Sequence, residues 1–291
     1  MSDALAGLPP AVVERYHLDH LPFDQVDRAP DELMRLSGRR VIVTGGAGPA
    51  LGQAIVHRLA ALGARVAVAD IDGEAAAAVA AAAADRWNAD TFSIQADVTD
   101  WDSIHAAVAT TARRLGGLDV LVNNAGGVLG LHGPFIEQDA RSMRRLVELN
   151  LIGSLFASKA ALTVMLPQHR GRIITISSEG GKISMDGLAI YNACKAGLIG
   201  FTRNLARELR HTGVSAVAVC PGPMIGPVQL GRLASAENAA GRAAMDETWW
   251  RLTADRFSLP EEVANMVAFL ASEAGAYLQG TAVSVGGGLS D

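Results

Sequence analysis

The sequence predicts an α/β fold, in which a doubly wound parallel sheet of seven strands carries helices on both faces. From residue 38 onward, short apolar segments alternate with helical segments. This order is typical of parallel strands joined by crossover helices. The apolar segments are nearly continuous, as expected for strands that are covered on both faces. A chain of 291 residues also has a length that α/β folds often reach as a single domain.

The expected elements follow one another without a visible internal repeat. Strands are predicted at residues 41–43, 66–69, 91–95, 120–122, 172–177, 214–219 and 282–285. Helices are predicted at residues 53–62, 74–84, 102–115, 139–166, 189–211 and 261–271. The alanine-rich run 74–84 has a strong helix propensity, and its position between two strands indicates a crossover helix.

Residues 1–37 differ in composition from the rest of the chain. They are rich in proline and acidic residues, with short apolar pieces at 11–13 and 33–36. We interpret them as an N-terminal arm that lies on the main domain, residues 38–291, or on a neighbouring subunit. A partly ordered tail would have the same composition.

Composition narrows the classes of function. The net charge is −5 and no basic stripe is visible, which argues against nucleic-acid binding. We find no stretch of about 18 apolar residues free of charge, and the N-terminus lacks the basic start of a secretory signal. Cys194 and Cys220 are the two cysteines, and we expect small packing residues in a reduced compartment. These features predict a cytoplasmic protein that does not bind membranes.

A glycine-rich segment, Thr44-Gly45-Gly46-Ala47-Gly48-Pro49-Ala50-Leu51-Gly52, stands between the first predicted strand and its helix. Glycines at such a turn let the backbone approach a pyrophosphate, which then faces the N–H groups and the dipole of the helix. Alone, the loop is a modest signal; between a strand and a helix it predicts a dinucleotide site. A flexible turn without a ligand is the alternative.

Asp70 ends the second strand, 25 residues after Gly45. A carboxylate at this place can accept hydrogen bonds from both ribose hydroxyls of NAD and would repel the 2′-phosphate of NADP. No Arg or Lys lies between Thr44 and Gln53 or directly after Asp70. The sequence therefore favours NAD over NADP. A turn or capping role at the strand end is the alternative for Asp70.

Two further polar segments stand at the carboxyl ends of strands, where ligands collect in open α/β sheets. Asp97-Val98 follows the third strand and could meet an adenine ring. Asn123-Asn124-Ala125-Gly126 closes the fourth, although such residues also form ordinary turns.

Tyr191 and Lys195 are four residues apart in a predicted helix, so their side chains share one face. A free tyrosine has a pKa of about 10, and acting as a base near pH 7 requires a lower value. We expect the neighbouring ammonium to lower the pKa of the phenol. By itself this spacing also arises by chance in many helices.

Taken together, these motifs resemble the short-chain dehydrogenase/reductase family over about residues 38–288. Further matching positions are Asn150, Ser178, Pro221-Gly222, and the closing Gly280-Thr281 and Gly286-Gly287-Gly288. The resemblance implies a single Rossmann domain that assembles as a homotetramer or homodimer. It also implies an NAD(P)-dependent oxidoreductase that transfers a hydride between nicotinamide and a secondary alcohol or ketone.

The resemblance assigns roles by position. Tyr191 resembles the general acid/base, Lys195 the residue that lowers its pKa and binds the nicotinamide ribose, and Ser178 the serine that hydrogen-bonds the substrate oxygen. Asn150 resembles the asparagine that holds a water linking Lys195 to solvent. Ser177 competes with Ser178, since adjacent strand residues face opposite sides. The other positions that match cofactor contacts are Gly45, Gly48, Ala50, Leu51, Gly52, Asp70, Ile71, Asp97, Val98, Asn124, Ala125, Gly126, Pro221 and Gly222.

The sequence departs from the family pattern in two places. The glycine loop is one residue longer than usual, with Pro49-Ala50 in the place of the middle glycine. Gly226 stands where the family often has a threonine that contacts the carboxamide. Because Ala50 adds a methyl group where backbone normally meets phosphate, we expect a reshaped loop or weaker cofactor binding.

The substrate is less well defined. We expect residues 223–258 to form a lid, with these apolar side chains: Met224, Ile225, Leu230, Leu233, Met245, Trp249 and Trp250. Gly187, Leu188 and Ile190 precede the tyrosine, and this apolar set suits a moderately hydrophobic substrate, unless the side chains only pack the lid. A 3-oxoacyl carrier-protein reductase, a family lyase or epimerase, and a non-catalytic NAD-binding sensor are alternatives. His132 and His211 lack a matching ligand cluster, so no metal site is expected.

Overall fold

A computed structural model describes residues 5, 7–16, 18, 21–226, 230 and 251–290. Seven strands form one parallel sheet in the order β3-β2-β1-β4-β5-β6-β7. In chain order they are β1 Arg40–Thr44, β2 Arg65–Asp70, β3 Thr91–Gln95, β4 Val120–Asn123, β5 Gly171–Ile176, β6 Val214–Pro221 and β7 Ala282–Val285. The predicted doubly wound fold is confirmed.

Helices cover both faces of this sheet. The N-terminal arm contains the short helices α1 Pro10–Arg15 and α2 Pro30–Met34. The helices of the main domain are α3 Leu51–Ala61, α4 Gly73–Trp87, α5 Trp101–Leu115, α6 Ala140–Val147, α7 Gly153–Met165, α8 Ala189–Glu208 and α9 Pro260–Ala271. Helices α4 and α5 each begin after an aspartate cap. The Asp72 side chain accepts from the Ala75 N–H, and the Asp100 side chain accepts from the Ser103 N–H. Both end at a left-handed residue, Asn88 and Gly116, which stops the helix.

The chain reverses its direction across the sheet between β3 and β4. After β3 at one edge, the chain returns to place β4 beside β1, with Thr44 opposite Asn123. In open α/β sheets such a switch point opens a crevice at the carboxyl ends of the two strands. The glycine loop follows β1 and the Asn124 segment follows β4, so the topology brings both motifs to this crevice.

The core lies in two layers, one on each face of the sheet. On one face α3, α4 and α9 pack against alternate strand residues such as Val43 and Val219. On the other face α5, α7 and α8 pack against the intervening residues, such as Ile42 and Leu121. Because successive strand residues point to opposite faces, one continuous apolar strand supplies both layers.

The predicted helix at 139–166 is interrupted in the middle. Residues Glu148–Ile152 form a π-helical turn between α6 and α7, and Asn150 lies within it. Such turns are rare and often occur at functional sites. The stretch Ala140–Met165 is long and apolar enough to cross a membrane by length and composition, but α7 buries Ala157, Ala160 and Ala161 in the core, as a core helix does.

Part of the N-terminal arm lies on the main domain. Leu36 is fully buried, and its N–H donates to the Leu62 carbonyl at the end of α3. Arg28 forms an ion pair with Glu273 at 2.5 Å, just after α9. Leu36 and Arg28 thus each contact the main domain near the end of a helix, and the arrangement of the whole arm stays a prediction.

Candidate active site

Tyr191 and Lys195 share one face of α8, one turn apart. The Lys195 ammonium lies 5.5 Å from the centre of the Tyr191 ring. Lys195 is only 4% exposed, and its Nζ donates to the Ile176 carbonyl at the end of β5, with a distance of 3.0 Å. The strand end thus fixes the ammonium beside the phenol.

Burial dominates the electrostatics of this pair. Loss of solvent raises the pKa of Tyr191 above its ordinary value, and the hydrogen bond with Ser178 only partly opposes this effect. Burial also lowers the pKa of Lys195 to about 8, against weaker opposing effects of the Cys194 and Cys220 thiols. Burial therefore gives Tyr191 a raised pKa on balance, and the expectation that Lys195 lowers this pKa stays a prediction. The same burial that brings the two groups together disfavours the charged form of each.

The two candidate serines take different positions. Ser177 is buried, and its hydroxyl donates to the Lys195 carbonyl at 2.7 Å, which ties the strand end to α8. Ser178 is partly exposed and borders the cavity, and its Oγ accepts from the Gly180 N–H at 3.1 Å. Because strand β5 ends at Ile176, both residues lie just beyond it. Ser177 also borders the cavity, so the prediction that Ser178 rather than Ser177 serves the substrate stays a prediction.

Asn150 is fully buried and holds the loop that follows β4. Its Oδ1 accepts from the Gly127 N–H at 2.9 Å, and its Nδ2 donates to the Gly127 carbonyl at 2.8 Å. A Cβ built on Gly126 would lie 2.8 Å from Asn150 Oδ1 and 3.4 Å from Lys195 Nζ. Asn150 and Lys195 therefore both adjoin Gly126, although the predicted water between Lys195 and solvent stays a prediction.

The glycine loop is packed closely against itself and against β4. A Cβ on Gly52 would fall 2.2 Å from the Gly45 carbonyl oxygen, and one on Gly45 would fall 2.7 Å from Ala125 Cα. Gly45 also has a φ of +61°, which favours glycine. Asn124 links the two strands, because its Nδ2 donates to the Gly45 carbonyl at 2.8 Å. The loop thus forms a cradle of bare backbone, with Ala50 directly before α3.

Asp70 lies beside this cradle. Its Oδ2 accepts from the Ala47 N–H at 3.0 Å, and its Oδ1 accepts from the Asp72 N–H at 3.2 Å. The turn role considered for Asp70 is therefore present, and the same carboxylate also borders the cavity. At the next strand end, Asp97 Oδ1 accepts from the N–H and the hydroxyl of Thr99.

One cavity of about 590 Å³ joins these groups along the carboxyl edge of the sheet. All of the predicted cofactor positions border it, together with Ser178, Tyr191 and Lys195, whereas Asn150 supports its wall from behind. The volume lies within the range usual for small-molecule and cofactor sites. The bare glycine cradle at one end and the polar trio at the other fit an elongated dinucleotide.

The cavity also has lining residues that the sequence did not single out. These are Ala96, Gly127, Val128, Leu149 and Ile176; Pro49 of the glycine loop and the lid residue Met224 border the cavity as well. Ala96 and Ile176 could have been found, since they stand at strand ends. Leu149 carries no such signal, because the π-helical turn that places it is not visible in the sequence.

The second departure from the family pattern lies elsewhere. Gly226 borders a neighbouring cavity of about 460 Å³ on the outer side of α3. Leu230 lies there too and is 54% exposed. The predictions for Leu233, Met245, Trp249 and Trp250 fall outside the described residues. Within the described residues, no group of three or more His, Cys, Asp or Glu side chains could hold a metal ion.

The fold and the cavity define a nucleotide-binding oxidoreductase of the Rossmann type. A family profile described as enoyl-(acyl carrier protein) reductase matches residues 46–290. The chain belongs to the short-chain dehydrogenase/reductase family, and it is an NAD(P)-dependent oxidoreductase that acts on CH–OH groups.

Individual relatives support this assignment. The chain is 35% identical to the 2-(S)-hydroxypropyl-CoM dehydrogenase 3 of Xanthobacter autotrophicus, over 88% of this chain and 98% of the relative. It is 34% identical to a 2-dehydro-3-deoxy-L-rhamnonate dehydrogenase (NAD(+)) of Sphingomonas, over 87% of this chain and 96% of the relative. A short-chain dehydrogenase of Burkholderia cenocepacia, solved in complex with NADP, superposes with a TM-score of 0.76 at 32% identity, over 88% and 100% of the two chains.

Proposed function

We propose that this enzyme interconverts a moderately hydrophobic secondary alcohol and its ketone, with NAD as the preferred cofactor. The observation that carries the proposal is the single cavity with Asp70 and the glycine cradle at one end and Ser178, Tyr191 and Lys195 at the other. The cofactor supplies a hydride acceptor or donor at its nicotinamide ring. The protein supplies position, proton transfer and shielding from water.

In the oxidation direction, the Ser178 hydroxyl orients the substrate oxygen, and the Tyr191 oxygen takes the alcohol proton as general base. In the reduction direction, Tyr191 returns the proton to the carbonyl oxygen. Ser178 is suited to this task because its neighbour Ser177 holds the strand end against α8. Lys195 and Asn150 keep the surrounding backbone in place through Ile176 and Gly127.

We propose that Tyr191 loses its proton more readily when the oxidised cofactor is bound. Burial keeps the pKa of Tyr191 above its ordinary value. An oxidised nicotinamide carries a positive charge, which favours a phenolate nearby. Lys195, with a pKa lowered to about 8, can release or take up a proton near neutral pH and so complete the exchange with solvent.

The preference for NAD rests on Asp70. Its carboxylate borders the cavity. Among the described residues that line this cavity, Lys195 is the one basic side chain, and it lies at the end opposite Asp70. A 2′-phosphate would meet this negative charge, whereas ribose hydroxyls would donate to it. The Sphingomonas relative named for NAD(+) supports the same choice.

The apolar character of the substrate is inferred from the reactive end of the cavity. Val128, Leu149 and Met224 border the cavity that contains Tyr191. Leu131 and Ile190 border a small adjoining space next to the same tyrosine. These side chains provide apolar contact but no charged partner, so the proposed substrate is uncharged near its reacting carbon.

The chain is also proposed to act as a homotetramer or homodimer in the cytoplasm. The side chain of Ile136 is 89% exposed and that of Tyr277 is 99% exposed. Large apolar and aromatic side chains in such positions are typical of contact surfaces. Mass measurement of the purified protein in solution would decide between a monomer and these assemblies.

The first experiment is a spectrophotometric screen of alcohols and ketones with NAD and with NADP, including 3-oxoacyl thioesters. We expect turnover with an uncharged secondary alcohol or ketone, and Tyr191→Phe should reduce turnover by at least about 100-fold, since general acid–base catalysis commonly contributes this much. Cofactor binding by the variant should be retained. Turnover of Tyr191→Phe within about tenfold of the wild type would refute the role of Tyr191.

The second experiment tests the preference between the two cofactors. Asp70→Ala should weaken NAD binding and improve NADP binding in relative terms, because the repelling carboxylate is removed. Because Asp70 also accepts from the Ala47 N–H, we expect part of the loss to come from a looser glycine loop, and this part affects both cofactors. An unchanged ratio of the two affinities would contradict the assignment.

A further inference from the structure

Glu179, the residue after Ser178, is a buried carboxylate without a partner. It is 1% exposed, and neither carboxylate oxygen has a hydrogen-bond partner among the described residues. Its backbone carbonyl is used, since it accepts from the N–H groups of Lys182 and Ile183. A buried carboxylate without donors is costly. Native proteins contain few such groups, and each requires an explanation.

Two glycines connect Glu179 to the wall of the main cavity. A Cβ on Gly286 would lie 2.7 Å from Glu179 Cδ, and a Cβ on Gly222 would lie 2.8 Å from Gly286 Cα. Gly222 in turn borders the main cavity, which Ser178 and Tyr191 also border. A close stack is therefore formed by Glu179, Gly286 and Gly222. The two glycines carry no side chain, so the stack from the carboxylate to the cavity wall is thin.

Nearby charged and titratable groups do not neutralise this carboxylate directly. The Lys182 ammonium donates to the Ala282 carbonyl at 3.1 Å and to Ser284 Oγ at 2.5 Å, both on β7. The Cys220 thiol adjoins the same region, and burial raises its pKa; the positive charge of Lys182 opposes this effect, and the negative charge of Glu179 adds to it. The described residues form no ion pair or hydrogen bond with the Glu179 carboxylate.

We propose that Glu179 acts through this wall to stabilise positive charge at the reactive end of the cavity, so that the oxidised nicotinamide is bound more tightly relative to the reduced one. The inference rests on the proposed function, because Ser178 and Tyr191 place the carbinol, and hence the nicotinamide, at this end. A negative charge favours the cationic oxidised ring and is indifferent to the neutral reduced ring. The cost of burying Glu179 is thereby offset only when the oxidised cofactor is bound.

The test compares the affinities of the purified full chain for NAD+ and for NADH by calorimetric titration without substrate. Two variants remove the charge with little change in volume, Glu179→Gln and Glu179→Met. We expect both to weaken NAD+ binding by about tenfold and to change NADH binding by less than about twofold, as for one charge acting across a short distance in protein. Glu208→Gln is the matched control, because it removes an exposed carboxylate at the far end of α8.

Each outcome decides the matter. If both variants bind NAD+ and NADH in the wild-type ratio, or lose both equally, the electrostatic role is overturned. A changed ratio in only one variant would indicate altered packing and would also overturn it. The ligand-free variants should melt at or above the wild-type temperature, since removing an unpartnered buried charge is often stabilising. A lower melting temperature in both would show that the carboxylate has favourable partners, against the inference. If the wild type binds neither cofactor form, the proposed function itself fails.

Discussion

Gly52→Ala is the substitution for which the structure gives the most direct estimate. The added Cβ would lie 2.2 Å from the Gly45 carbonyl oxygen, whereas ordinary contacts begin at 3.4 Å. The atom that the Cβ would meet is backbone and cannot turn away, so α3 and the strand end must separate by about 1 Å. Overpacking of this kind typically costs about 1–3 kcal/mol. The distorted segment is the glycine cradle, which is proposed to hold the pyrophosphate of the cofactor.

We therefore expect the dissociation constants of NAD and NADH to rise by about 5- to 150-fold, since about 1.4 kcal/mol corresponds to a factor of ten. Titration with NADH, followed by the fluorescence of the reduced nicotinamide, measures the change. Gly200→Ala is the control. A Cβ on Gly200 meets nothing within 4 Å, and alanine has a higher helix propensity than glycine in the middle of α8.

A third variant tests whether the loss of cofactor affinity follows the closeness of the contact. A Cβ on Gly48 would lie 3.2 Å from the Gly45 carbonyl oxygen, so Gly48→Ala should cause a smaller loss than Gly52→Ala. Equal affinities of the wild type and Gly52→Ala would refute the reasoning, because the closest contact in the loop would then have no bearing on the cofactor. A loss in Gly200→Ala as large as that in Gly52→Ala would refute it as well.

Two further predictions concern the groups behind the cavity. Because the pKa of Lys195 falls from 10.5 to about 8 on folding, the unfolded chain holds more protons between these values, and this residue makes the protein more stable as the pH rises from about 8 towards 10. The free energy of unfolding should rise by about 2 kcal/mol over this pH range, and the rise should be absent in Lys195→Met. Urea unfolding at several pH values measures it, and an equal pH dependence of both proteins would contradict the prediction. The raised pKa of Tyr191 acts in the opposite direction above about pH 10, which sets the upper limit of the window. Asn150→Ala leaves the Gly127 N–H and carbonyl without their side-chain partner and should lower the free energy of unfolding by about 1–3 kcal/mol, whereas Asn204→Ala, which removes an exposed amide from α8, should change it by less than about 0.5 kcal/mol. Similar losses in the two asparagine variants would speak against the bracing role of Asn150.

The sequence predicted which segments are strands and which are helices, because the apolar pattern of each segment agrees with the turn residues that bound it. Strands β3 and β7 begin and end at the predicted residues, since their apolar runs are bounded by turn residues. Helix α3 begins at Leu51, two residues before the prediction, because the glycine loop itself enters the first helical turn. Helix ends are less visible than helix centres, since the last turns depend on caps and tertiary contacts.

The interruption at Glu148–Ile152 shows where local reasoning fails. The sequence reads there as one continuous amphipathic helix, and its local propensity gives no reason for a π turn. The turn lets Asn150 reach the Gly127 backbone, which is a contact across 23 residues of sequence. A contact of this kind depends on how two elements are placed, and a helical periodicity does not contain that information.

By itself, the sequence determined the order of strands and helices, the family, and the residues that border the cavity, because each motif stands at the carboxyl end of a strand and parallel strands end at one edge. Only the tertiary structure decided the ionisation of the site and the closeness of its walls. Tyr191 and Lys195 are four residues apart in any helix, but the burial that raises one pKa and lowers the other comes from β5 and the loops around them. Glu179 likewise looks like an ordinary polar residue in the chain, and the tertiary structure buries its carboxylate next to Gly286. The physical reason is that solvation depends on every neighbour in space, whereas a sequence motif records only the neighbours along the chain.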